Sequence, residues 1–346
     1  MATIKDVARE ARVSVTTVSR VISSNPNVSA ETRGRVLAVI ERIDYQPSAI
    51  AQGLVSQRTR TIGVVVSDIS NPFYPQVVRG IEDVANAHRF TIVLLSTDDD
   101  LERHAAALRV LHGQRVAGVV HGSARLDDAK LPEFIAAGIP TVLVNRGLPK
   151  SGTSQVLLKN RRGAEMATQH LIDLGHRRLL HLAGPRFAQN ARDRAAGFRR
   201  AATRNGLSAD EARVLPIGFH QVIDREAVRA TLHELLSRDD RPSAVLAVDD
   251  VIGVWTMEVA IGDLGLAVPD DLAVVGFDDS YLASSRFVRL TTVAHRPYEM
   301  GSEAARLLID RLDGDGDWPV KVDLEPRLVV RGSTVRGADD RVQIPD

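Results

Sequence analysis

The 346-residue sequence contains no cysteine, which excludes a disulfide scaffold, a cysteine-ligated zinc site and a thiol nucleophile. It also lacks an apolar run of about 20 residues, the length that a membrane-spanning helix requires. Its first six residues do not have the charged and then apolar layout of a signal peptide. We therefore expect a cytoplasmic protein.

The motifs of several enzyme classes are missing as well. The sequence has no His-Glu-x-x-His, Gly-x-Ser-x-Gly, P-loop or Gly-x-Gly-x-x-Gly segment, and its ten histidines show no metal-ligand spacing. Asp313, Asp315 and Asp317 alternate as in a calcium-binding loop. Trp318 and Leu324 nevertheless occupy the places of the required Gly and Glu. We predict neither an enzyme nor a metal or cofactor site.

Positive charge is concentrated near the N-terminus, although basic and acidic residues number 44 each over the whole chain. Residues 1–60 contain nine Lys or Arg and five Asp or Glu. This uneven distribution indicates a separate basic module, as in proteins that bind nucleic acid.

Three short helices are predicted within the first 45 residues. Thr3 and Asp6 have the spacing of a capping box, and Ser14 and Ser29 are placed to cap the second and third helices. Apolar residues recur at helical spacing, at Ile4, Val7, Ala8 and Ala11, at Val18, Val21 and Ile22, and at Val36, Leu37, Ile40 and Ile43. The pattern predicts a small three-helix core.

The second helix has a polar face opposite its apolar one. Thr16, Thr17 and Arg20 lie on that face, and a short turn joins the helix to its predecessor, as in a helix-turn-helix that enters the major groove. Arg can bind guanine with two hydrogen bonds, and Thr can contact a thymine methyl group. Ser19 and Lys5 are suited to phosphates. An ordinary three-helix bundle with a solvated polar face has the same pattern.

From residue 61 the pattern changes to apolar runs that alternate with amphipathic helical stretches. The runs lie at 62–66, 91–95, 116–120, 141–144, 179–182, 244–248 and 272–275. This alternation predicts parallel sheets covered by helices. Because about 280 residues exceed a typical single-sheet domain, we expect two lobes with a ligand cleft between them.

Several literal strings of residues extend this interpretation. They are TIKDVA at 3–8, VSVTTVSRVI at 13–22, YQP at 45–47, TIGVVV at 61–66, NPFY at 71–74, HLIDLGHR at 170–177 and VGFDD at 275–279. On these residues the chain resembles the lactose/galactose repressor (LacI/GalR) family of bacterial transcription factors, over nearly its whole length.

The resemblance implies an all-α helix-turn-helix N-terminal domain at 1–46, a hinge helix and linker at 47–60, and an α/β two-lobed core like the periplasmic binding proteins at 61–346. The first lobe would comprise about 61–160 and 292–321, and the second about 161–291 and 322–337. The implied function is repression of transcription by a homodimer. Its affinity for a roughly palindromic operator would depend on a sugar or sugar derivative in the cleft.

Site residues follow from the resemblance position by position. The implied DNA contacts are Thr3, Lys5, Ser14, Val15, Thr16, Thr17, Ser19, Arg20 and, as a wedge in the minor groove, Leu54. The family often has Asn and Arg in place of Ser48 and Gln52, which implies fewer charge contacts to DNA. The implied effector-binding residues are Phe73, Asn145, Arg146, Lys159, Arg194, Phe219, Asp249 and Asp278. Phe73 and Phe219 are equally compatible with a place in the core between the lobes.

Two effector positions depart from the commonest form of the family. Lys159 stands where Asp is common, and Asp249 stands where Asn is common. Lys159 with Arg194 and Arg146 would suit a carboxylate or phosphate on the effector. Alternatively, Lys159 forms an internal ion pair with Asp249 or Asp278, and the cleft keeps a neutral ligand.

Two other functions share parts of this pattern. A solute-binding receptor for transport has the same two-lobed core but requires export. A DNA-binding dimer without an effector would use the lobes only for dimerisation, yet Arg194 and Asp278, which such a protein does not need, are both present. A ligand-responsive repressor is the favoured interpretation.

Overall fold

The structure is a computed structural model that describes residues 2–22, 27–45, 59–217, 225–337 and 341–343. The chain forms two compact units, one of Met1–Arg60 with Leu111–Ala117 and one of Thr61–Val110 with Gly118–Asp346. The predicted DNA wedge Leu54, its neighbours Ser48 and Gln52, and the predicted effector residue Phe219 lie outside the described residues. None of the helices in the described ranges combines the length and the apolar character needed to cross a bilayer.

The first unit contains the three predicted helices, α1 (Ile4–Ala11), α2 (Val15–Ile22) and α3 (Ala30–Arg42). Each begins at its predicted cap. The hydroxyl oxygens of Thr3, Ser14 and Ser29 accept hydrogen bonds from backbone amides three residues later, at 3.4, 3.0 and 3.3 Å. These bonds satisfy amides that the first helical turn leaves without a carbonyl partner.

A small aliphatic core holds the three helices together. Its buried members are Val7, Ala8, Ala11, Val18, Val21, Val36, Val39 and Tyr45. Ile40 and Ile43 are partly buried against this core, as predicted, but the prediction for Leu37 is wrong. Leu37 is 50% exposed because it lies about 100° around α3 from Val36, beyond the face that Val36 and Val39 bury.

The second unit contains two sheets, each at the centre of a lobe. The strands of the first sheet are β1 (Thr61–Val66), β2 (Thr91–Ser96), β3 (Gly118–His121), β4 (Thr141–Val144), β5 (Ser154–Leu158) and β11 (Lys321–Leu324). They are ordered β11-β5-β4-β3-β1-β2, and every pair is parallel. Parallel pairing confirms the prediction from the alternating runs.

Four helices accompany the first sheet, namely α4 (Phe73–Ala87), α5 (Leu101–Gly113), α6 (Lys130–Ala136) and α12 (Pro297–Asp313). The two longest of them, α4 and α12, pack closely because Gly80 and Gly301 lie at their contact. A Cβ atom at either glycine would collide with a backbone oxygen of the other helix.

The second sheet is mixed. Its strands are β6 (Leu179–Ala183), β7 (Ala212–Pro216), β8 (Ala244–Ala247), β9 (Ala273–Asp278), β10 (Thr291–Ala294), β12 (Arg327–Val330) and β13 (Arg341–Gln343). In the order β13-β12-β10-β9-β8-β6-β7, the pairs from β10 to β7 are parallel, and β12 and β13 add antiparallel pairs. Its helices are α7 (Asn160–Asp173), α8 (Gln189–Arg204), α9 (Arg225–Leu236), α10 (Asp250–Glu258) with a π-helical turn at Val259–Asp263, and α11 (Tyr281–Ser284).

The chain crosses between the lobes three times. The crossings lie at 159 between β5 and α7, at 295–296 between β10 and α12, and at 325–326 between β11 and β12. The second and third come later than the expected boundaries at 291/292 and 321/322. The reason is pairing: β10 joins β9 of the second sheet, and β11 joins β5 of the first.

Candidate functional site

A cavity lies between the lobes, at the carboxyl ends of their parallel strands, where open α/β sheets usually bind ligands. Together with its open mouth to solvent it holds about 870 Å³ of empty space. The first lobe lines it with Ser67, Asp68, Asn71, Phe73, Tyr74, Asp98, Asp99, Asn145 and Arg146. The second lobe contributes Pro185, Ala188, Asn190, Ala191, Arg194, Val248, Asp249 and Asp278.

Six of the eight predicted effector residues line this one cavity. They are Phe73, Asn145, Arg146, Arg194, Asp249 and Asp278. They come from strand ends and helix starts that are up to about 200 residues apart in the chain, so the fold alone brings them together. Within the described ranges, no three His, Asp or Glu side chains are arranged to hold a metal ion.

The prediction that Lys159 lines the cavity is wrong, and so is the alternative that it pairs with Asp249 or Asp278. Its ammonium group pairs with Glu325, and its side chain is 45% exposed. Lys159 lies at the first crossing between the lobes and Glu325 at the third. The pair therefore joins two crossing segments and is not part of the cavity lining.

Arg194 projects from α8 and is almost completely buried. Its Nε donates a hydrogen bond to Asn160 Oδ1 at 2.9 Å, and its Nη1 donates one to the carbonyl oxygen of Val248. The guanidinium carbon lies 3.6 Å from the ring centre of Phe277, and Nη2 lies 3.9 Å from Asp278 Oδ1. Arg has five N–H donors, so these two bonds leave three others while they fix the orientation of the guanidinium.

Asp278 ends β9 with a φ of 119°, in the region that favours glycine. Such conformations cluster at functional sites. Oδ1 lies within hydrogen-bond distance of His295 Nε2, at 2.6 Å, whereas Oδ2 has no hydrogen-bond partner among the described residues. Burial raises the pKa of Asp278 to about 7, and the charge of Arg194 opposes that rise.

Asp249 links the two lobes at the start of α10. Its Oδ1 accepts from the Ile252 amide at 2.9 Å, and its Oδ2 accepts from Asn71 Nδ2 of the first lobe at 3.2 Å. Burial, and after it the charge of Asp278, raise the pKa of Asp249 to about 7. Near neutral pH each acid is therefore partly protonated, and each can accept a hydrogen bond from a ligand or donate one.

Arg146 is held by an acid of its own lobe. Its two Nη atoms pair with the two carboxylate oxygens of Asp99, with Nη2 and Oδ2 3.0 Å apart. Burial opposes the charge of Arg146, but the charge of Asp99 outweighs that effect and raises the pKa of Arg146. The guanidinium is thus neutralised within the protein.

A second side-chain hydrogen bond between the lobes crosses the cavity beside the first. Asn190 Nδ2 donates to Asn145 Oδ1 at 3.2 Å, and Asn145 Nδ2 in turn donates to the hydroxyl of Tyr74 at 3.2 Å. Four residues of the cavity lining, Asn71, Asn145, Asn190 and Asp249, thus form hydrogen bonds between the lobes.

Several lining residues were not predicted, among them Ser67, Asp68, Asn71, Tyr74, Asp98, Asp99 and Asn190. The Asp98–Asp100 run forms the loop between β2 and α5, with positive φ values of 50° at Asp98 and 57° at Asp99. Its place after β2 was the missed signal, since the carboxyl ends of parallel strands meet at one edge.

In the first unit, α2 presents the predicted polar face. Thr3, Lys5, Ser14, Val15, Thr16 and Arg20 are exposed, and Thr17 and Ser19 are half-buried. Val18 and Val21 on the opposite face are buried in the core. A surface with Thr and Arg on a short capped helix fits the major groove of DNA.

Comparison with known proteins decides the family. Residues 3–48 match the bacterial regulatory proteins of the lacI family, and residues 168–334 match a periplasmic binding protein-like domain. Catabolite control protein A of Priestia megaterium is 34% identical over 96% of this chain and 99% of its own length. The chain belongs to the lacI family of bacterial regulatory proteins. This lacI-family protein is a transcriptional regulator rather than an enzyme or a transport receptor, as the sequence strings indicated.

Solved structures agree with this assignment. The transcriptional regulator CelR in complex with cellobiose is 35% identical, with a TM-score of 0.70 over 96% of this chain and all of that one. The lac repressor dimer bound to operator and the anti-inducer ONPF is 28% identical, with a TM-score of 0.82 over 96% and 99%. The predicted fold, a helix-turn-helix domain followed by a two-lobed α/β core, is confirmed.

Proposed function

We propose that this regulator is a repressor that binds a roughly palindromic operator as a homodimer and responds to a neutral sugar in the cavity between its lobes. Because it binds the DNA of a bacterium, it acts in the cytoplasm. Solved relatives hold cellobiose, or operator DNA together with an anti-inducer. These complexes support a sugar ligand and a DNA partner for this chain.

We propose a neutral ligand because of the charged residues that line the cavity. Five aspartates line it, at 68, 98, 99, 249 and 278, against two arginines, at 146 and 194. Because Asp99 pairs with Arg146 and Asp98 pairs with Arg103, Asp68, Asp249 and Asp278 remain against Arg194, the cation available to a ligand. An anionic group 4 Å from one of the ionised carboxylates would be repelled by about 4 kcal/mol at an effective dielectric constant of 20.

Sugar hydroxyls suit this lining. A hydroxyl donates to a carboxylate and accepts from a guanidinium, so a vicinal pair can bridge Asp278 Oδ2 and the free N–H groups of Arg194. The apolar ring of Phe73 lies in the same lining and can cover a face of the sugar ring. With Lys159 outside the cavity, the anionic alternative loses the residue on which it rested.

The DNA-binding proposal rests on the exposed face of α2. In a dimer with two-fold symmetry, two copies of α2 meet two half-sites, which requires an approximate palindrome. We assign Arg20 to a guanine, Thr16 and Thr17 to base edges, and Lys5 to a phosphate. Selection from random oligonucleotides should return palindromic sites, and a yield of asymmetric sites alone would contradict the dimeric arrangement.

Titration calorimetry on the full chain tests the ligand class. The panel is D-ribose, D-glucose and cellobiose, each matched with an anionic counterpart: D-ribose 5-phosphate, D-glucose 6-phosphate and cellobionate. We expect at least one neutral sugar to bind more tightly than its anionic counterpart, and Asp278→Asn to weaken that binding. Lys159→Met is the matched control, because its side chain lies outside the cavity and should leave affinity unchanged. Tighter binding of the anionic member, lost in Lys159→Met, would overturn the proposal.

A further inference from the structure

His295 is a completely buried histidine that does not itself line the cavity. It lies at the second crossing between the lobes, and its Nε2 is 2.6 Å from Asp278 Oδ1. This hydrogen bond is shorter than the usual N–H···O distance of about 2.9 Å, as expected when the acceptor is a carboxylate. A residue of the crossing therefore holds one oxygen of a cavity acid.

The imidazole also packs against an aromatic ring of each lobe. Its ring centre lies 4.7 Å from that of Phe73, which lines the cavity, and 5.6 Å from that of Phe277, over which Arg194 is stacked. One side chain thus contacts Phe73 and Asp278, two lining residues that belong to different lobes.

The protonation state of His295 determines whether its Nε2 donates a hydrogen bond to Asp278. Burial, and after it the charge of Arg194, hold the pKa of His295 well below its ordinary value, so the imidazole is neutral at pH 7 and carries one N–H. Nδ1 is buried and finds no hydrogen-bond partner in the part of the chain that the structure describes. A proton on Nε2 is used in the bond to the carboxylate, whereas a proton on Nδ1 would be a buried donor with no acceptor.

We propose that His295 is a positioning residue for the effector, whose Nε2–H fixes Asp278 Oδ1 so that Oδ2 is presented to a ligand hydroxyl. This inference rests on the proposed sugar site, since Asp278 is the acceptor that it orients. Because His295 belongs to a crossing segment, the same bond ties the ligand-binding acid to a segment that joins the two lobes.

Two substitutions separate the hydrogen bond from the packing. His295→Gln places an amide N–H near the position of Nε2 but removes the ring that contacts Phe73 and Phe277. His295→Phe keeps an aromatic ring between them but has no donor for Asp278. If His295 acts by positioning, affinity follows the donor, and if it acts only by packing, affinity follows the ring.

The readout is calorimetric affinity for the neutral sugar of the panel that binds the wild type most tightly. We expect His295→Phe to lose roughly ten- to a hundredfold in affinity, the effect of one hydrogen bond to a charged group. His295→Gln should remain within about threefold of the wild type, even if it unfolds at lower temperature. Weak binding by His295→Gln combined with normal binding by His295→Phe would overturn the proposal.

His181 provides a matched control. It is completely buried, its Nδ1 lies 2.9 Å from the Leu246 carbonyl oxygen, and its ring lies 5.4 Å from that of Phe198. Within the described ranges its Nε2 has no hydrogen-bond partner, as for His295 Nδ1, but the residue does not line the cavity or contact Asp278. His181→Gln should lower thermal stability while it leaves sugar affinity unchanged. A comparable affinity loss in His181→Gln would show that the effects are general.

A spectrum of the ¹⁵N-histidine-labelled protein tests the proton assignment without any ligand. At pH 8 the signal that disappears in His295→Gln should show a protonated Nε2 and an unprotonated Nδ1, and Asp278→Asn should shift it. A proton on Nδ1 instead would overturn the proposal. Failure of the sugar site itself gives a different result, namely a wild type that binds no member of the panel or binds one independently of Asp278.

Discussion

Replacement of Asp249 by Asn removes a buried acid whose contribution to stability depends on pH. Burial and the neighbouring Asp278 raise its pKa from 3.8 to about 7. Between these values the folded chain keeps a proton that the unfolded chain has released. Because the unfolded state then binds fewer protons, the free energy of unfolding falls as pH rises through this window.

The size of the effect follows from the width of the window. One fully shifted group changes the free energy of unfolding by about 1.36 kcal/mol per pH unit, hence by about 2.7 kcal/mol between pH 5 and pH 7. Above pH 7 the folded acid also ionises and the decline levels off. The amide that replaces the carboxyl group does not titrate, so the Asp249→Asn variant should gain about 2 to 3 kcal/mol relative to the wild type on going from pH 5 to pH 8.

The comparison between two pH values isolates the buried charge. Asp249→Asn also disturbs the hydrogen bond from Asn71 and weakens the cap on α10, but those losses act at both pH values and cancel in the difference. The buried histidines titrate in both proteins and cancel in the same way.

Urea unfolding of the wild type and the variant, followed by circular dichroism at pH 5 and pH 8, measures this difference. Asp239→Asn, at an exposed position, is the control and should show the same difference from the wild type at both pH values. An Asp249→Asn variant whose difference from the wild type is equal at pH 5 and pH 8, or is less favourable at pH 8, would refute the reasoning.

Three further predictions concern the cavity, the crossings and the DNA-binding helix. Arg194→Met should abolish the calorimetric response to the panel sugar yet leave operator affinity without sugar within about twofold, because the two sites interact only through coupling; a large loss of operator binding in gel-shift assays would contradict this. Lys159→Met should lower the free energy of unfolding in urea by less than about 1 kcal/mol, since its ion pair with Glu325 is exposed, and a greater loss would show that the pair fixes the crossings. Arg20→Ala should relax preference at one base pair of each half-site by about 1 to 3 kcal/mol in competition binding, whereas an equal loss on every operator variant would indicate a phosphate contact instead.

Six of the seven apolar runs are buried throughout and mark central strands, whereas the seventh marks β2, a partly exposed strand at the edge of its sheet. β10 escaped the same reasoning, although it is central too, because two of its four residues are threonines. Thr291 and Thr292 are completely buried, and their hydroxyls donate to the Arg331 carbonyl and to Asp250 Oδ1, 40 and 42 residues away. Partners so distant in the chain satisfy buried polar groups, and periodicity does not reveal them.

The candidate site was predictable where a strand end fixes the direction of a side chain. Asp278 and Asp249 directly follow or end parallel strands of one sheet, so both had to meet at one edge. Lys159 follows a strand as well, but its direction depends on Glu325, 166 residues away on another crossing. The sequence does not show where the crossing segments pack. It therefore could not show whether the lysine at position 159 changes the charge of the cavity or lies outside it.

The central claim is that a neutral sugar in the cavity and operator DNA are linked through one protein. Fluorescence anisotropy with a labelled operator from the selection, with and without saturating D-ribose, D-glucose or cellobiose, measures that link directly. The account predicts that one of these sugars changes the operator dissociation constant, and that operator changes the dissociation constant of that sugar by the same factor, as linkage requires. The account would be contradicted by a sugar whose binding is abolished by Asp278→Asn, and which therefore binds in the cavity, but which leaves operator affinity unchanged.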